Sequence, residues 1–228
     1  IDTTSFINQC RAFEASKNKI LYTRNAEQLL KAIKDYKIAA VTIGDMGLDE
    51  VAPIFERINS SGRQLTMVDL MRAATWRGGF DLNDAINSVR DACESKYFYD
   101  IPDTHILRNI SACAGLGIHK ETIEKLRDRT SEELKTASDK CTEAYKLAVD
   151  FLSTELPFTS IAYLPYGLQL TLLVEFFNLK NHPNKGMREK LINWFWKTSL
   201  FKYFGVANTG LITQSLENMR LFALGSVD

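Results

Sequence analysis

The sequence predicts a mainly α fold, an irregular helical bundle with a small N-terminal β remnant of one or two short strands. Three observations carry this reading. Apolar residues recur at helical spacing through almost everything after position 45. The β-branched run Lys37-Ile38-Ala39-Ala40-Val41-Thr42-Ile43 ends at Gly44 and is the best strand pattern in the chain. At 45% hydrophobic and 11% aromatic over 228 residues, the composition can build a core. A chain of this length buries ~70–75% of its extended surface.

The elements follow in order. Phe6, Ile7, Cys10, Ala12 and Phe13 predict an opening amphipathic helix. Ile20-Leu21-Tyr22 is a short apolar run that reads as a second strand. Asn25 reads as the N-cap of a helix over 26–36, with Leu29, Leu30 and Ile33 inward. Two strands do not make a stable sheet alone, so they are expected to pair with chain outside these residues. From there only helices are expected: 48–59, 66–76, 81–93, 104–114, 120–126, 130–152, 187–204 and 210–223. The division expected is a remnant of an α/β portion at 1–45 and a helical subdomain at 46–228.

The uncharged run 156–174 has the length of a membrane span, but Pro157 and Pro165 break it, so a buried core helix over 163–179 is expected instead. No apolar leader is visible near the start, and the missing methionine before Ile1 reads as a piece of a longer protein. No membrane partner is expected, and the compartment read from these features is the cytoplasm.

Charge excludes simple classes. Lysine plus arginine is 28 and aspartate plus glutamate is 28, so the net charge is zero. A nucleic-acid-coating protein would be strongly basic, and a disordered solvating segment strongly charged. Local charge is uneven. Residues 120–143 alternate in sign and read as a solvated face. Residues 180–204 carry Lys180, Lys185, Arg188, Lys190, Lys197 and Lys202 against Glu189 alone. Trp194, Phe195, Trp196, Phe201, Tyr203 and Phe204 interleave with them. Basic residues set among aromatics can follow a nucleic-acid strand, so Lys185, Arg188, Lys190, Lys197 and Lys202 are candidate DNA contacts. A packed helix with snorkelling lysines explains the same pattern.

The cysteines at 10, 93, 113 and 141 have no metal or redox spacing, and no histidine stands beside them at ligand spacing. They read as free, mostly buried thiols. No metal, nucleophile elbow or P-loop is expected, and no catalytic residue is assigned. Gly115-Leu116-Gly117 reads as a helix C-cap and turn, and Phe98, between Tyr97 and Tyr99, as part of a loop anchor.

The most legible connection runs from Phe55 to Leu70. Gly62 can end one helix with positive φ, Thr66 can cap the next with Asp69 at N3, and Leu65 and Leu70 can staple the turn. A rigid turn explains this without function. A DNA-binding helix-turn-helix is a second reading, weakened by only two cations, Arg72 and Arg77, on its second helix. A third is an anion or nucleotide pocket built from Arg57, Asn59, Gly62 and Arg63 before a helix N-terminus. A partner contact is a fourth.

The string Ile54-Phe55-Glu56-Arg57-Ile58-Asn59-Ser60-Ser61-Gly62-Arg63-Gln64-Leu65-Thr66 resembles the signature of the GmrSD-type restriction-endonuclease N-terminal domain family, a ParB-like domain of bacterial defence proteins. Asp49-Glu50-Val51-Ala52 resembles its acidic lead-in, Leu164-Pro165-Tyr166-Gly167-Leu168-Gln169-Leu170 its core helix, and Trp194-Phe195-Trp196-Lys197-Thr198-Ser199-Leu200 its aromatic segment. The resemblance spans about 38–219. It implies a bacterial restriction or anti-phage protein whose ParB-like half binds or hydrolyses nucleotides, often beside an HNH nuclease half. The family's Asp-Gly-Gln-Gln-Arg hallmark and a His-Asn-His set are both absent here, so no catalytic residue carries over. The implied role is a helical portion that supports a nucleotide-responsive module and helps position DNA. A nucleoside triphosphate would be held through an N-terminal portion rather than by this chain. The competing reading is a non-catalytic scaffold for a partner protein or a homo-oligomer.

Overall fold

A computed structural model describes residues 17–37, 54, 65–76 and 78–226. The described residues are mainly α-helical. The chain separates into two compact units, Ile1–Gly47 and Leu48–Asp228.

In the first unit, α1 spans Lys19–Lys34. This corrects three expectations. Leu29 and Ile33, expected inward, are 55% and 50% exposed. Ile20-Leu21-Tyr22 is helical rather than a strand, and Asn25 lies inside the helix while Asn18 stands at its N-cap. The reason is visible in the spacing. Tyr22, Ala26, Leu29, Leu30 and Ile33 form one continuous stripe, and no glycine or proline interrupts 19–36. An exposed asparagine inside a helix costs only a fraction of a kcal/mol, up to ~0.7 relative to alanine. The strand expected at 37–43 lies outside the described residues after Lys37, as does the helix expected at 48–59 apart from the helical Ile54.

The second unit holds α2 (Met67–Thr75), α3 (Leu82–Glu94), α4 (Asp103–Cys113), the short α5 (Lys120–Ile123) and a 3-10 turn Glu124–Asp128. It continues with α6 (Ser131–Thr154), a 3-10 turn Ile161–Tyr163, α7 (Gly167–Leu179), α8 (Lys185–Leu200) and α9 (Thr209–Ala223). Side chains start most of these helices. Thr66 and Asp69 form a reciprocal capping box at α2: Asp69 N–H donates to Thr66 Oγ1 at 3.2 Å, and Thr66 N–H donates to Asp69 Oδ2 at 3.0 Å. Thr130 and Glu133 repeat the box at α6. Asp81, Asn184 and Asn208 cap α3, α8 and α9. Each such cap stabilises by ~1 kcal/mol relative to alanine.

Two helices form the centre. α6 packs against α3 and α4, and α7 packs against α6, α4 and α9. α7 is buried continuously from Gln169 to Phe177. It starts at Gly167 rather than 163, because Pro165 holds Leu164 extended at ψ 133° and leaves Tyr163 in an exposed 3-10 turn. At 13 residues it is about 20 Å long. Among the described residues no helix is long and apolar enough to cross a membrane.

A helix surrounded on all sides must satisfy its polar groups internally. Glu175 on α7 is 1% exposed and accepts from Arg220 Nε of α9 at 2.5 Å. Arg220 also donates to the Leu116 carbonyl at 2.8 Å. Gln169 donates to the Phe195 carbonyl and to Thr198 Oγ1, tying α7 to α8. Asn109 of α4 donates to the Thr171 carbonyl and accepts from Tyr145 Oη of α6. Burial pushes the Cys93 thiol up to about 12 and raises the Cys141 thiol as well. Cys93, Cys113 and Cys141 are free. Phe98 is fully buried between the exposed Tyr97 and Tyr99, so the loop is anchored by one ring.

Candidate functional site

α4 positions the first candidate side chains. Its N-terminal residue Asp103 accepts from Arg72 of α2 at 2.7 Å and from Arg90 of α3. This clamp fixes the α4 axis. Its other end closes with Gly115 at φ +78°: Gly115 N–H donates to the Ala112 carbonyl and Leu116 N–H to the Ser111 carbonyl. That pair of bonds is a Schellman motif, so the expected C-cap and turn is present.

Between these ends, Thr104, Leu107 and Arg108 line a cleft of about 500 Å³. Its other walls come from Met67 of α2, Ile118, His119, Lys120 and Ile123 around α5, Tyr166, Gly167 and Leu168 at the start of α7, and Phe204, Ala207, Thr209 and Ile212 near α9. Gly167 is required by a close approach. A Cβ there would stand 2.5 Å from His105 Cε1. His105 Nδ1 lies 3.3 Å from Thr171 Oγ1. Burial, reinforced by the Arg108 charge, lowers the His105 pKa and favours the neutral ring. His119 Nε2 is 2.5 Å from Thr213 Oγ1, which ties the α5 segment to α9. Lys120 stands 4.0 Å from Glu124.

The anion pocket read from the sequence, Arg57, Asn59, Gly62 and Arg63, lies outside the described residues. The five candidate DNA contacts are dispersed along α8 and its C-terminal turn. Lys185 is at the N-terminal end, 3.9 Å from Glu189. Arg188 turns aside and donates to Glu155 Oε1 at 3.0 Å. Lys190 and Lys197 are both exposed and seven residues apart, so they share one face of the helix. Lys202 follows the helix in the left-handed region at φ +52°, and Tyr203 N–H donates to the Thr198 carbonyl across that turn.

The aromatic residues divide between two environments. Leu191, Phe195 and Thr198 face inward, and Trp194 packs edge-on to Phe204 at 6.4 Å. The packed-helix reading describes these. Trp196 and Tyr203 are partly covered, packing edge-on against Phe195 and Phe204, while Leu200, Phe201 and Val206 do not follow it: Leu200 is 74%, Phe201 80% and Val206 90% exposed. Lys197 and Lys202 lie among them in sequence. Among the described residues no group of histidine, cysteine, aspartate and glutamate is arranged to hold a metal ion.

Sequence reasoning missed the cleft because its lining comes from separated stretches, each with an ordinary helical pattern. The one local signal was Gly167 at a helix start after Pro165. No family model, curated protein or solved structure matches this chain.

Proposed function

We propose that this chain is the helical portion of a GmrSD-like bacterial restriction or anti-phage defence protein, acting in the cytoplasm. It supports a nucleotide-responsive ParB-like module and positions DNA at the C-terminal corner of α8. The motif order from 54–66 through 164–170 to 194–200 supports the family reading. One observation supports the DNA role above the others: Trp196, Phe201 and Tyr203 are exposed beside Lys197 and Lys202. Exposed rings offer stacking surfaces for bases, and the lysines offer charge to the backbone.

The exposure of Leu200 and Val206 at the same corner favours a second reading, a scaffold that docks a partner protein or a second copy. Fluorescence anisotropy with labelled single- and double-stranded oligonucleotides, run beside sedimentation velocity, separates the two. The DNA reading expects saturable binding by a protein whose sedimentation does not depend on concentration. Absent DNA binding together with concentration-dependent association would make the scaffold reading the better one.

A further inference from the structure

We infer that the cleft between α4, α5, α7 and α9 is a binding site for a small organic anion, an oxyanion head carried on an apolar body. This inference uses none of the residues assigned to DNA and stands apart from that role. The cleft is about 500 Å³. That is within the ~300–1,000 Å³ range of small-molecule sites. Most of its wall is apolar, from Met67, Leu107, Ile118, Leu168, Phe204 and Ile212. Its charged lining is of one sign: Arg108 and Lys120 line it, and no aspartate or glutamate does among the described residues.

Arg108 carries the argument furthest. It is half-buried, and no hydrogen bond or ion pair joins its guanidinium to another described residue. The other half-buried described arginines of this unit each meet a carboxylate: Arg72 and Arg90 share Asp103, Arg220 holds Glu175, and Arg127, Arg129 and Arg188 meet Asp128, Glu133 and Glu155. A guanidinium presents five donors in a planar fork that fits phosphate or carboxylate. Among the described residues the fork has no acceptor in this cleft. Two other features point the same way. Lys120 adds a second cation to the wall, and the N-terminal end of α9, at Thr209, lines the cleft with its positive dipole end. The apolar wall then takes the body of the ligand while the cationic edge takes its head.

Isothermal titration of the 228-residue chain with one aromatic body bearing different heads tests this. The probes are 1-naphthyl phosphate, 1-naphthoate and neutral 1-naphthol, with inorganic phosphate as the head alone. The expected result is that at least one naphthyl anion binds with a dissociation constant below about 1 mM and roughly tenfold tighter than both naphthol and inorganic phosphate. The tighter anion identifies the head as phosphate or carboxylate. Arg108→Gln should weaken that binding about tenfold or more, whereas Lys146→Gln, an equal charge change on the outer face of α6, should leave it unchanged. Ala207→Phe, which fills the cleft without touching charge, should abolish it with the helical circular dichroism retained. Equal affinity for naphthol, no loss in folded Arg108→Gln, undiminished binding in Ala207→Phe, or no anion binding at all would overturn the inference.

Discussion

Lys202 occupies the left-handed region at φ +52°, where a Cβ is unfavourable and glycine is the usual helix terminator. Lys202→Gly should therefore stabilise the protein by about 1 kcal/mol, although it removes a charge from the exposed corner. Urea denaturation checks this, and a loss of stability would mean that the lysine side chain holds the turn. His105 makes a separate prediction. Its folded pKa lies below the unfolded value of 6.5 because burial and then Arg108 disfavour the charged ring. Above that value both states are neutral and the ring's contribution is fully present. As pH falls through 6.5 toward the folded value, the unfolded chain takes up the proton first and stability is lost. The gap in urea midpoint between the wild type and His105→Asn should therefore narrow from pH 7.5 to pH 5.5. A constant gap would contradict this assignment.

At the scale of elements, the connection between α7 and α9 rests on Glu175 and Arg220. A carboxylate that is 1% exposed cannot lose its partner cheaply. Arg220→Met should destabilise by about 3–5 kcal/mol, while the double variant Glu175→Leu with Arg220→Met should recover much of that loss. Chemical denaturation of the single and double variants measures the coupling, and additive losses would show that the pair is not a unit. Helix starts were the most legible elements. Thr66, Asp81 and Thr130 cap through side chains fixed by local sequence, and α3 buries Leu82, Ala85, Ile86 and Val89 as its periodicity predicts. The start of α7 was less legible, because Pro165 acts on the residue before it. Ile20-Leu21-Tyr22 was misread because three adjacent apolar residues fit a strand as well as a helix until the stripe through Leu29 and Ile33 is extended backward.

For the whole molecule, the mainly α class followed from pattern, while the arrangement around the cleft did not. Arg108 and Lys120 are twelve residues apart, and Phe204 is far from both in sequence; only the packing of α4 and α9 on α7 brings them to one cavity. The basic segment 180–204 was legible as a composition. Its division into a buried face and an exposed corner was not, because Trp194 and Trp196 differ in exposure by their place on one helix. The zero net charge has a spatial meaning. On α6 Lys146 pairs with Glu143 at 2.6 Å and Glu133 with Arg129 at 3.2 Å, whereas among the described residues no aspartate or glutamate lines the cleft. The DNA role assigned to that corner is tested most directly by the salt dependence of oligonucleotide binding. Each lysine that neutralises a phosphate adds about 0.7 to the slope of log affinity against log salt for a single strand, or about 0.9 for a duplex. For Lys197→Gln with Lys202→Gln, the account predicts a slope reduced by about 1.4 for single strands. An unchanged slope in the double variant would contradict it.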